Sequence, residues 1–215
     1  MGYLKLSKIL LILILPLLFF LIASNYAGFD DSFYKEKFSE FNVWQKVPNA
    51  YILHQKVINF LQGRTSDLPN EFNDREKQHL ADVREVVSIS RLLLLILIVI
   101  FSILLLTFAS KMRKNNFRNF IGKVLALGGL LTLLIAAALF FLINSSFSSA
   151  FQSFHRLFFR SGTYLFDPSS EMIINLYPEP LFMDLGIKIS LYVVVLGIAA
   201  MLTGIFLACK NKKNK

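Results

Sequence analysis

The sequence predicts an all-α integral membrane protein with four transmembrane helices, both termini cytoplasmic, and two extracytoplasmic segments whose short helices lie over the bundle. Three observations predict it. Of the 215 residues, 55% are hydrophobic, and the mean hydropathy is +0.56; both values fit a small integral membrane protein better than a soluble domain. Four apolar segments, at about 9–23, 92–109, 124–143 and 187–208, hold almost nothing ionisable. A hydrocarbon core ~30 Å thick needs roughly 20 such residues. The basic residues gather in three clusters free of acid: Lys5 and Lys8; Lys111, Arg113, Lys114, Arg118 and Lys123; and Lys210, Lys212, Lys213 and Lys215. Placing all three on the inner side satisfies the positive-inside rule and puts both termini inside. Membrane orientation thus accounts for the net charge of +9, and no nucleic-acid partner is expected. The chain reads as one membrane domain, 1–215, with outer segments at about 24–91 and 144–186.

The first apolar segment contains Pro16, where a kink is expected. Lys5 and Lys8 before an apolar run resemble a signal peptide, but Asn25 and Leu21 stand where cleavage before Ala27 or Ala23 wants a small residue, so an uncleaved anchor is expected. Next comes an aromatic stretch with Phe29, Phe33, Tyr34, Phe38, Phe41 and Trp44, a density that suggests contact with the headgroup layer. Residues 49–61 place Leu53, Val57, Phe60 and Leu61 on one helical face, and Gly63 is positioned to end that helix. Asn73 followed by Glu76 forms a capping box. From there a helix is predicted to run through His79 into the second span.

The inner connection, 110–123, is short and basic and makes the second and third spans a hairpin. Gly128 and Gly129 in the third span, and Gly197, Ala200 and Gly204 in the fourth, are small residues that let helix backbones approach in lipid. The second outer segment opens with Ser145, Ser146, Ser148 and Ser149, then becomes aromatic and basic. Gly162 can supply a turn. Asp167-Pro168-Ser169-Ser170 reads as a turn or helix start with Glu171 in the first turn, and Pro178 and Pro180 end any helix begun there.

Each outer segment presents one histidine in a dense polar motif. On a helix, Glu76 and Asp82 flank His79, three residues to either side; two carboxylates would raise its basicity and fix its tautomer, as a general base requires. His155 is followed by Arg156 and, one turn on, Arg160, among Phe154, Phe158 and Phe159. Arginine beside histidine at a membrane surface suits a lipid headgroup or a developing oxyanion. His54, between Leu53 and Gln55, is expected on the surface. The lone cysteine, Cys209, reads as an apolar residue at the membrane edge, which leaves the outer segments without a disulfide.

Three histidines, no outer cysteine and no H-E-x-x-H assemble no zinc site. G-x-S-x-G and glycine-rich phosphate loops are also missing from the sequence, and spans nearly free of charge do not suggest an ion pathway. A histidine catalyst without a serine or cysteine nucleophile would pass a group directly to a nucleophile of the substrate. Two alternatives stay open: a serine-type lipid hydrolase or acyltransferase using Ser153 or Ser161, and a non-enzymatic membrane accessory protein.

Two stretches carry a resemblance. Glu76-Lys77-Gln78-His79-Leu80-Ala81-Asp82-Val83, of pattern E-x-x-H-L-x-D-V, and the run from Phe154-His155-Arg156 through Arg160-Ser161-Gly162-Thr163-Tyr164 to Asp167-Pro168 resemble the two signatures of the lipoprotein intramolecular transacylases, small bacterial four-span membrane proteins. Each motif is moderately specific; together, in order and on the expected segments, they are strong. The span layout and length fit as well, so the resemblance covers nearly the whole chain. It implies transfer of the sn-2 acyl chain of a lipoprotein's diacylglyceryl-cysteine to that lipoprotein's own N-terminal amine, giving the lyso-form. It implies His79 and His155 as the catalytic pair; beside them, Glu76, Asp82, Arg156, Arg160, Tyr164 and Asp167 are expected as supporting, oxyanion or substrate-binding residues. The implied partners are the diacylglyceryl-modified lipoprotein and membrane lipids. No cofactor and no metal is implied. The implied location is the bacterial cell membrane, with the site on its extracytoplasmic face.

Overall fold

The computed structural model describes residues 2–159 and 164–210, with side chains from Leu6 onward. The described residues are helical or irregular, without a strand: α1 (Gly2–Ala27), α2 (Asp31–Glu40), α3 (Val43–Lys46), α4 (Ala50–Leu61), α5 (Asp74–Lys111), α6 (Lys114–Phe158), α7 (Met172–Leu176) and α8 (Glu179–Cys209). By length and composition α1, α5, α6 and α8 can each cross a membrane. The chain divides into two compact units: Met1–Ser24, Leu92–Phe141 and Lys188–Lys215 form one, and Asn25–Arg91 with Leu142–Ile187 form the other.

In the first unit the four apolar segments are helical as predicted. Pro16 is accommodated within α1. Only Met112 and Arg113 separate α5 from α6, so the basic connection is mostly helix; Phe117, Phe120 and Ile121 pack with Leu11, Leu15, Phe108 and Val124, which extends the apolar contact below the expected span. Large side chains such as Leu106, Leu134 and Leu202 are exposed, as hydrocarbon allows and water does not. The small residues bring α6 and α8 together. A Cβ on Gly204 would lie 2.6 Å from the Gly122 carbonyl oxygen, and one on Gly129 would lie 2.6 Å from both the Gly197 oxygen and the Met201 nitrogen. Gly128 instead meets Leu15 of α1.

The second unit has a core of its own, built from Phe33, Phe38, Val57, Phe72, Leu80 and Leu176 among others. Helix α4 matches the predicted 49–61 and ends as expected. Gly63 takes φ +77°, and the Gly63 and Arg64 amides donate to the Phe60 and Asn59 carbonyls at 3.0 and 2.9 Å, the double closure that a left-handed residue permits. Two expectations are corrected here. The aromatic stretch folds as α2 and α3, with Phe33, Tyr34 and Phe38 inside the core and so withdrawn from the expected headgroup contact, while Trp44 stays exposed; Asp30 caps α2 by accepting from the Ser32 and Phe33 amides. His54 is not on the surface. It is 1% exposed, shares a 2.9 Å hydrogen bond with the Tyr177 hydroxyl through Nδ1, and packs tilted against Tyr34 with ring centroids 4.2 Å apart. The buried face of α4 comprises Ala50, Leu53, His54, Val57 and Phe60, a stripe wide enough to include a ring that has found a polar partner from 123 positions away.

Candidate active site

The site begins with a helix start. Asn73 precedes α5; its Oδ1 accepts from the Glu76 amide at 2.9 Å, and Glu76 Oε2 accepts from the Asn73 amide at 2.6 Å. This reciprocal pair is the predicted capping box. From it α5 runs unbroken for 38 residues through His79 and the second span, also as predicted. On α6 the helical dihedrals break at Ser146 (φ −163°, ψ 72°), in the serine-rich stretch where the sequence ends the third span, and the turns beyond it carry His155. Both histidines belong to the second unit, on the stretches of α5 and α6 that lie beyond the apolar segments 92–109 and 124–143.

The structure brings the two imidazoles together. Their ring centroids are 6.0 Å apart and the planes lie within 19° of parallel. Phe159 packs on both, at 4.8 Å from His79 and 5.2 Å from His155. Phe166 meets His79 edge-on at 5.3 Å, while Phe151 and Tyr164 flank His155 at 4.2 and 5.2 Å. The aromatic rings shield both imidazoles, leaving His79 buried and His155 half-buried.

This desolvation decides the electrostatics, against the sequence expectation for His79. Burial, followed by the neighbouring His155 charge, pushes His79 down to about 4; no carboxylate raises it. Glu76 does share the buried helix face, but its second oxygen, Oε1, accepts from the Ile173 amide at 2.7 Å. Both of its oxygens are thus engaged by backbone amides, which leaves Glu76 a structural anchor between α5 and the start of α7. Among the described residues His79 Nδ1 is buried with no hydrogen-bond partner. A polar atom in that state costs free energy unless a ligand meets it. Asp82 lies half-exposed along α5.

His155 is pushed below its ordinary value by burial, opposed by its bond to the Phe151 carbonyl and by the Glu179 charge. Nδ1 lies 2.7 Å from that carbonyl oxygen. A carbonyl only accepts, so Nδ1 carries the hydrogen and Nε2 holds the free lone pair.

Of the other expected residues, Tyr164 joins the wall around His155. Arg156 is exposed and donates to Ser153 Oγ at 3.1 Å. Ser153 has no hydrogen bond to His155, whose Nδ1 is held by Phe151. Arg160, Ser161 and Gly162 lie outside the described residues. The Asp167 carboxylate accepts from the Ser169 amide and hydroxyl at 2.9 and 2.8 Å, forming the predicted turn; these bonds hold it below the usual carboxylate range.

Glu171 departs from expectation. It stands before α7 instead of in its first turn, 4% exposed, and forms a two-pronged ion pair with Arg75. Arg75 holds its carboxyl below the usual range. Arg75, Glu171 and Phe166 are contributors that reading the sequence missed: their contacts link positions far apart along the chain, and no local pattern marks them.

The description "Lipoprotein intramolecular transacylase Lit" belongs to a family model that matches residues 9–182. Among solved structures, the membrane integral lipoprotein intramolecular transacylase Lit from Bacillus cereus superposes with a TM-score of 0.83 at 20% identity, covering 99% of this chain and 100% of that one. Two of its variants, with one histidine replaced by arginine and by alanine, give TM-scores of 0.81 at 20% identity. They cover 100% and 99% of this chain, and 96% and 97% of theirs. Comparison with the sequences of curated proteins gives no match. The structural likeness establishes a shared fold, and the family model spans most of the chain. The chain belongs to the lipoprotein intramolecular transacylase family, Lit.

Proposed function

We propose that this protein transfers the sn-2 acyl chain of a bacterial lipoprotein's diacylglyceryl-cysteine to the N-terminal amine of the same molecule, using His155 and His79 at the outer face of the cell membrane. The observation that carries the reading is the near-parallel imidazole pair, desolvated by aromatic rings. The three basic clusters support placing both termini inside and the second unit outside.

The reaction forms one N–C bond, breaks one ester C–O bond and moves one proton from nitrogen to the glycerol oxygen; no water is consumed. His155 Nε2, with its lone pair free because Phe151 holds the other nitrogen, takes the amine proton and returns it to the departing glycerol oxygen. His79, kept uncharged by burial, donates an imidazole N–H to the tetrahedral oxyanion, a role suited to a neutral histidine of depressed pKa. This reverses the sequence expectation, which made His79 the base. Donor and acceptor share one substrate, so holding them in a reactive ring contributes up to ~7–11 kcal/mol. A dry pocket also keeps water from competing for the ester.

Mass spectrometry of a lipoprotein N-terminus, from cells lacking native N-acylation, tests the proposal. Expression of the protein should convert the S-diacylglyceryl peptide into an isomer of unchanged mass with one chain on the amine. His155→Ala should slow conversion by about 10²–10⁴-fold, the range for losing a general base, and His79→Ala by about 10²–10³-fold, the range for losing an oxyanion donor. Loss of one chain's mass would instead make the protein a hydrolase.

A further inference from the structure

Glu171 is a buried carboxylate to which the proposed acyl transfer gives no part. Its partners come from two places. From the first turn of α5 and its cap come Arg75, donating from Nε at 2.9 Å and from a terminal nitrogen, and Asn73 Nδ2 at 3.3 Å. From the turn of the second outer segment comes the Asp167 amide at 2.7 Å. The guanidinium it grips lies 5.6 Å over the Phe166 ring, and Phe166 packs edge-on to His79 at 5.3 Å. The order of contact is therefore Glu171, Arg75, Phe166, His79. The Arg75 side chain is 45% exposed, so water can solvate it without the pair; the two-pronged bond to Glu171 is what holds the guanidinium over the ring.

We propose that the Glu171–Arg75 pair is a latch that holds Phe166 as a wall of the His79 pocket, which makes both residues positioning residues for acyl transfer. The inference rests on His79 taking part in the reaction. With the latch open, Phe166 loses its backing and water reaches the ring. The titratable group that faces the His79 ring is His155 on α6; the charged groups on the packed elements are Arg75, Glu76 and Asp82 on α5, and Asp167 and Glu171 in the second outer segment. Glu76, Asp167 and Glu171 are each held by hydrogen bonds of their own, and burial is the leading influence on the ring, so the wall governs its protonation.

The test uses the full chain in detergent with histidine-selective isotope labelling, where three histidines give a spectrum that His79→Ala assigns. In Glu171→Gln the titration midpoint of His79 is expected to rise by about one unit or more toward the ordinary value. The single-turnover rate on a diacylglyceryl lipopeptide is expected to fall roughly 10-fold or more, with KM little changed, as misplacement of a reacting group produces. An unmoved midpoint overturns the latch, whatever the rate does. Where Glu171→Gln does not fold, Arg75→Gln is read in the same two ways; if that half-exposed substitution also prevents folding, the pair is a folding element and the proposal falls. Full rate in His79→Ala would sink the assignment of His79 to the reaction. An inactive His79→Ala beside a parent-like Glu171→Gln would sink the latch alone.

Discussion

His54 and His79 are both buried, and burial pushes each down to about 4, yet among the described residues only His54 has a hydrogen-bond partner on Nδ1. That difference marks His54 as a satisfied core histidine and, on the proposed function, leaves His79 open to substrate; the sequence does not contain it, because Leu53 and Gln55 around His54 read as an ordinary amphipathic face. Both rings predict the same pH dependence of stability. Their folded values lie below the unfolded value near 6.5, so as pH falls the unfolded chain binds protons first. The stabilisation is complete above about pH 6.5 and is lost progressively as pH falls toward 4, by on the order of a few kcal/mol. Thermal unfolding in detergent should therefore drop steeply across that window, and His79→Phe, which has nothing to protonate there, should flatten the drop. An equal drop in the variant would show that His79 does not titrate as its burial requires.

At the scale of elements, rules that act within four residues were legible. Asn73 and Glu76 cap α5 as their spacing predicts, and Gly63 ends α4. Asn73→Ala should cost about 1 kcal/mol of stability, measurable as a lowered melting temperature, with an added effect through its bond to Glu171. The small residues of α6 and α8 are visible in sequence, but their partnership is not: Gly122, which falls in the basic connection of the sequence, meets Gly204, while Gly128 turns to α1. Gly204→Val should force the two helices apart and cost about 1–3 kcal/mol. Gly186→Ala is the matched control, because its Cβ would meet only the end of the Ile143 side chain at 3.4 Å. Equal melting temperatures for the two variants would refute the close approach.

For the molecule as a whole, the three basic clusters predict the topology. A fluorescent protein fused after Lys215 should fluoresce, and alkaline phosphatase at the same place should stay inactive, if the basic clusters lie inside; the opposite pattern would invert the orientation. The sequence by itself determined the four apolar helices, the caps that start and stop them and the two histidine motifs, because hydrophobic length, hydrogen-bond capping and charge near a membrane act on neighbouring residues. Only the tertiary structure decided that Glu76 serves the backbone of Ile173 instead of His79, that Glu171 pairs with Arg75 across 96 positions, and that Phe33, Tyr34 and Phe38 line a core. It also decided that burial, ahead of any neighbouring carboxylate, pushes both imidazoles below their ordinary value. Burial and partnership depend on which distant segments pack together, and that packing is a property of the folded chain, with no trace in the spacing along it.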